Sequence, residues 1–202
     1  MDRTNWMMGA ACLAWSVAVS GCGEEQLPTW VEGAWQVRCP AGLAGCRDGS
    51  PHTFMGYADE LQDGQFVSCN LGNGSGGRRT LSLALGERGA SLRLTRVTFD
   101  PDSGQVSGCR LVIEDDDNRY EADSTEGMCG SGPASADGQR CQVQVRITPD
   151  ADPALGDTVD VSIRCLSIVG PANPGRLRRN VLAVRGSVDD PASLRLANCD
   201  GS

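Results

Sequence analysis

Six stretches of this chain alternate apolar and polar residues with a period of two, and that alternation leaves few folds open. VEGAWQVRC puts Val31, Trp35, Val37 and Cys39 on one face, and QFVSCNL does the same for Val67, Cys69 and Leu71. TLSLALG aligns Leu81, Leu83 and Leu85, while GCRLVIEDD aligns Cys109, Leu111 and Ile113. CQVQVRI aligns Cys141, Val143, Val145 and Ile147, and DTVDVSIRC aligns Val159, Val161, Ile163 and Cys165. Successive side chains of a strand point to opposite faces, so each stretch reads as a half-buried strand; helical periodicity is hard to find. Clusters such as LQDG, LGNGSGG, DPDSG, EDDDN and VGPANPG separate the stretches and read as turns. In SLRLTRVTF the apolar phase moves from Leu92 and Leu94 to Val97 and Phe99, which a bulge near Thr95-Arg96 would produce. The expectation is an all-β fold: a disulfide-rich β-sandwich or flattened barrel of about eight to eleven short antiparallel strands.

The first segment has a different character. From Trp6 to Val19 the chain carries no charge. As a helix that run spans roughly 21 Å, short of a hydrocarbon core of about 30 Å, so it reads as a cleavable export signal. It ends on Val19-Ser20-Gly21-Cys22 and then turns acidic. This resembles the bacterial lipobox, an aliphatic residue and two small residues before a cysteine. The resemblance implies that Cys22 bears a diacylglycerol, that Val19, Ser20 and Gly21 are recognised, and that cleavage before Cys22 frees an amino group for further acylation. Two or three acyl chains hold a protein at a bilayer stably, whereas one does so only marginally. Gly23 stands where, in well-studied members, an Asp favours inner-membrane retention, so the outer membrane is the expected address. The alternative is an ordinary secretory signal, with Cys22 structural or removed. The expected organisation is a lipoprotein signal peptide over 1–21, a tether over 22–29 and a single disulfide-linked β domain over 30–202.

Ten cysteines fit that address. Cys12 leaves with the signal and Cys22 takes lipid. The remainder, Cys39, Cys46, Cys69, Cys109, Cys129, Cys141, Cys165 and Cys199, are even in number and read as disulfides of an exported chain. Zinc would want closer cysteine pairs or more histidine than His52 alone, and no metal or other cofactor is expected. Two pairings are expected: Cys129–Cys141, closing the stretch between them, and Cys165–Cys199, joining the ends of two late strands. Cys199 is out of phase with Leu194 and Leu196, as suits a cysteine that ties a chain end.

The net charge is −8, which argues against nucleic acid and against simple adhesion to anionic lipid. There is no lysine, so Schiff-base chemistry and a Ser–Lys pair are excluded. LGNGSGGRRT lacks the lysine of a phosphate loop, and Asn73 spoils a nucleophile elbow around Ser75, so it reads as a β–β loop. His52 in GSPHTF reads as a loop histidine without a catalytic role, since no ordered motif supplies the rest of a triad. EDDDN (114–118) and DPDSG (100–104) collect oxygen atoms without the order of a calcium loop and read as solvated turns. Arg176, Arg178 and Arg179 form the one basic cluster, a weak candidate for an anionic partner. Trp30 and Trp35 could offer a sugar platform, but Trp35 is in phase with the core.

These readings converge on a lipid-anchored protein of the bacterial envelope acting as a non-catalytic binding or structural module, with the membrane and an envelope protein or glycan as partners. A hydrolase using paired carboxylates is the first alternative, needing neither His nor Lys. An inhibitor presenting a disulfide-held loop over 129–141 is the second.

Overall fold

The computed structural model describes residues 27–38, 49–115, 118–133, 141–149, 156–169, 181–184 and 192–199. The lipobox residues Val19, Ser20, Gly21 and Cys22, as well as Cys39, Cys46, Arg176, Arg178 and Arg179, lie outside the described residues. Among the described residues no helix is long and apolar enough to cross a membrane.

The alternating stretches are strands. In chain order they are β1 (Trp30–Trp35), β2 (Val37–Arg38), β3 (His52–Tyr57), β4 (Phe66–Asn73), β5 (Arg79–Glu87), β6 (Ala90–Phe99), β7 (Val106–Asp115) and β8 (Asn118–Asp123). There follow β9 (Cys129–Gly130), β10 (Cys141–Thr148), β11 (Thr158–Val169), β12 (Val181–Val184) and β13 (Ala192–Ala197). They form two sheets, an open sandwich rather than a closed barrel. Sheet B is an uninterrupted meander, β4-β5-β6-β7-β8. Sheet A is assembled from both ends of the chain. β9 and β10 run parallel, β10 pairs antiparallel with β11, and β11 carries β13 and then β12 along its other edge. β1 pairs with β13, β2 with β12, and β3 closes that side against β1. The meander is thus inserted between the two halves of sheet A, and the first strand meets the last in the register Val31↔Leu196.

The inward phase of every alternating stretch enters one core. Val31, Trp35, Phe54, Val143, Val161, Ile163, Leu194 and Leu196 of sheet A face Leu81, Leu83, Leu85, Leu92, Leu94, Phe99, Leu111 and Ile113 of sheet B, all buried. Each such side chain stabilises the fold by about 1.5–3 kcal/mol relative to exposure. The expected bulge is present: Leu83 pairs with Leu94 and Leu81 with Val97, so Thr95 and Arg96 bulge from β6, with Arg96 left-handed at φ 54°. That bulge is what returns Val97 and Phe99 to the core.

Three disulfides join described cysteines, and neither expected pairing is among them. Cys109 bonds Cys129, Cys141 bonds Cys165, and Cys69 bonds Cys199. Cys129 and Cys141 do lie side by side on β9 and β10, yet each takes another partner. Cys165 stands directly opposite Cys141 in the β10–β11 register, with the Cα atoms 4.2 Å apart, which leaves Cys199 to another strand. Cys129 crosses to β7 in sheet B. Cys199 reaches Cys69 on β4 because Asn198 turns left-handed at φ 53°, rotating the chain out of the β13 phase. Asn198 is held there by Thr29 Oγ1, which donates to its carbonyl at 3.2 Å, and by its own amide, which donates to the Pro28 carbonyl at 3.2 Å.

Candidate functional site

Sheet A buries one face and offers the other. Because Val31, Val145, Val161 and Leu194 point inward, their neighbours Glu32, Arg146, Asp160 and Arg195 point outward. Cross-strand register then sets them in one row: Met55↔Glu32, Glu32↔Arg195, Arg195↔Asp160 and Asp160↔Arg146, from β3 across to β10. Signs alternate along the four charged members. Arg195 Nε donates to Asp160 Oδ1 at 2.9 Å, and this bond, reinforced by the nearby charges of Asp160 and Glu32, holds the guanidinium above its ordinary range. Arg146 has no hydrogen bond or ion pair among the described residues. The next row along the strands is small and polar, with Ser162 opposite both Ser193 and Gln144.

These rows floor a groove of about 1100 Å³ whose wall is the β6–β7 loop, Pro101 to Gln105. The wall is built by its own acid. Asp100 Oδ1 accepts from the backbone N–H groups of Asp102 at 3.0 Å and Ser103 at 2.8 Å, and from Ser103 Oγ at 3.0 Å. The Ser103 bonds are the main reason that its carboxyl lies below the ordinary range. The loop is pinned to the edge of sheet A by a Gln105–Gln144 bridge and by Val145 N–H donating to the Gly104 carbonyl at 3.4 Å. Gly104, at φ +69°, lies so close to the Val145 carbonyl that a Cβ would collide with it. Together with β9, this loop covers the β10 edge, which would otherwise invite strand pairing. Of the DPDSG acids, Asp100 is thus committed to shaping the wall, and among the described residues no group of three or more His, Cys, Asp or Glu stands ready for a metal ion.

His52 is not in a loop. It opens β3, is 4 % exposed, and packs on Trp35 with ring centroids 4.1 Å apart. Trp35 is core, as expected. At the two nitrogens of the His52 ring stand carboxylates from sheet B: Glu87 Oε1 is 2.5 Å from Nδ1, and Asp115 Oδ1 is 3.5 Å from Nε2. Both sit at hairpin ends, Glu87 where β5 turns into β6 and Asp115 where β7 turns toward β8. Gly49 packs so closely on Asp115 that a Cβ would overlap its carboxylate. The His52 hydrogen bond, helped by Gln65 and opposed by burial, keeps the Glu87 carboxyl below its ordinary range. Tyr120 lies nearby; burial, with the Asp115 charge adding to it, pushes its phenol up to about 12. His52 Nε2, the atom that would have to face a nucleophile, is buried, stands 3.5 Å from Asp115 Oδ1 and has no hydrogen-bond partner among the described residues. The cluster is a polar bridge between the sheets.

Other expected candidates fall in place. LGNGSGGRRT is the end of the β4–β5 hairpin, its loop running from Gly74 to Arg78 between paired strand ends, with Arg79 Nε donating to the Gly72 carbonyl at 3.2 Å. Of the EDDDN acids, Glu114 pairs with Arg119 at 2.8 Å and Asp115 faces His52. Sequence reasoning missed Glu32, Arg146, Asp160, Ser162, Ser193 and Arg195. Their signal was present as the polar phase of four strands, but register is what makes them a site. No protein-family model matches the chain, and no characterised protein or solved structure matches it either.

Proposed function

We propose that this chain is a lipid-anchored protein of the bacterial envelope, bound to the outer membrane through Cys22, and that its sandwich is a non-catalytic binding module working through the outer face of sheet A. The observation carrying the binding half is the polar groove: a walled surface lined by charged and hydroxyl side chains, among them the guanidinium of Arg146, which has no partner among the described residues. The motif Val19-Ser20-Gly21-Cys22 carries the anchoring half. The hydrolase alternative is weaker here. Paired carboxylates need one carboxyl kept protonated by an apolar setting. Glu32 and Asp160 instead stand on either side of Arg195, over a floor of Ser162 and Ser193. For the inhibitor alternative, Cys129 and Cys141 still anchor the two ends of the loop, through bonds to Cys109 and Cys165 rather than to each other.

Each half has its own test. In a bacterial host fed a clickable fatty acid, the wild type takes up label and sediments with membranes. Cys22→Ala carries no label and appears in the soluble fraction; persistence of label would disprove lipidation at that residue. For binding, a photo-reactive residue at position 162 gives a discrete adduct on illumination of growing cells. The same residue at position 68, exposed on the outer face of sheet B, gives none. Absence of an adduct at 162 would remove the groove as a binding surface.

A further inference from the structure

We infer that the groove on sheet A takes a hydroxyl-rich, uncharged oligosaccharide lying across the strands. This rests on the reading of that face as a binding surface and names its ligand.

The groove floor is the middle of a sheet, where backbone N–H and C=O groups are already paired between strands. A peptide therefore cannot bind by adding a strand, and only side chains are on offer. Those side chains do not form the apolar pocket in which a protein partner buries its aromatic or aliphatic anchors. They are Ser162, Ser193 and Gln144 beside the charged row. Carboxylate and guanidinium groups present two parallel acceptors or donors each, and the Asp160–Arg195 bond fixes both planes in place. Fixed planar groups of that kind suit pairs of neighbouring hydroxyls. Glu32 and Arg146 stand three strand spacings apart, about 14 Å, so the row is long enough for several sugar units. Beyond Glu32 on the same face, Trp30 and Tyr57 are cross-strand partners, both half-buried. Aromatic rings at a polar surface combine an apolar face with a polar rim, which fits the faces of a sugar ring.

Charge narrows the class further. Glu32, Asp102 and Asp160 are nearly balanced by Arg146 and Arg195 along the groove, and the chain as a whole carries −8. A polyanion is repelled by the whole molecule, and a polycation finds little net attraction in the groove itself.

The test uses the purified full chain in detergent with three insoluble neutral polymers, cellulose, xylan and chitin, and with anionic alginate beads. The expected result is retention on at least one neutral polymer and none on alginate. Ser162→Trp fills the groove floor and lowers retention at least tenfold, while Ser68→Trp on the opposite sheet leaves it unchanged; both variants are first shown to melt like the wild type. No retention on any neutral polymer overturns the inference, as does an equal effect of the two substitutions. If the neutral polymers fail but a peptide array binds in a manner abolished by Ser162→Trp, the oligosaccharide is wrong and the binding surface stands. If the photo-reactive residue at 162 also gives no adduct, both fall.

Discussion

Replacing Cys69 and Cys199 together with Ala lowers the stability of the domain more than removing either of the other two described disulfides. The Cys69–Cys199 bond closes 130 residues, against 20 for Cys109–Cys129 and 24 for Cys141–Cys165. Loop-closure entropy assigns about 3 kcal/mol to each short bridge and between about 4 and 5 kcal/mol to the long one, even after the short bridges cut across its loop. Topology makes the long bond matter in the folded state as well. It ties β4, the edge of the inserted meander, to the chain end that follows β13, so it holds sheet B on sheet A. Total stabilities of domains are about 5–15 kcal/mol, so the double variant keeps little in reserve. Urea unfolding of the three double-Ala variants measures this as a shift in midpoint, read at an unchanged denaturant slope. Equal costs for the three, or a larger cost for either short bridge, would refute the loop-entropy ranking.

The fold class was legible because burial follows residue type in most strands. Leu81, Leu83 and Leu85 alternate without exception, and the phase shift at Thr95-Arg96 announced a real bulge. Two strands were silent for physical reasons. In β3 the inward positions hold His52 and Phe54 while Met55 points out, 71 % exposed, so polarity does not track the pleat. In β8, among the described side chains, Tyr120 and Ala122 face inward, too few to show a pattern. The disulfides were legible as cysteines in phase with the core but not as pairs. Pairing depends on which strands become neighbours, and β9 lies parallel to β10 only after a connection that no local signal describes. The groove was hidden for the same reason. Glu32 and Arg195 are 163 positions apart in the sequence, and nothing before β1 meets β13 says that they share a row. The His52 cluster failed differently: a histidine beside Pro51 and Ser50 looks like a loop residue until two distant carboxylates explain how it is buried.

His52→Ala therefore costs about 3 kcal/mol, the scale for removing one member of a buried ionic or hydrogen-bonded group. The substitution takes away the ring that packs on Trp35 and the donor to Glu87, and it removes the group standing between the Glu87 and Asp115 carboxylates. His52→Asn restores an amide N–H at the place of Nδ1, where it can donate to Glu87, and recovers part of the loss, which truncation to a cavity alone would not allow. Acid pH separates the ionic part from the packing part. Folding lowers the Glu87 carboxyl below its ordinary 4.5, with the His52 hydrogen bond as the largest cause. A carboxyl lowered by folding stabilises the native state in full above its unfolded value and loses that contribution as pH falls through the folded value. The wild type thus sheds the Glu87 contribution below about pH 4.5, whereas His52→Ala, lacking the main cause of the shift, has little of it to shed. Asp100 and Asp123 are also lowered, by bonds within their own turns, and they act equally in both proteins. The difference between the two stability profiles therefore reports the carboxylates that face His52, Glu87 together with Asp115, and it narrows as pH drops from 5 toward 3. Parallel profiles over that interval would show that His52 serves the sandwich by filling space alone, with no electrical tie between its sheets.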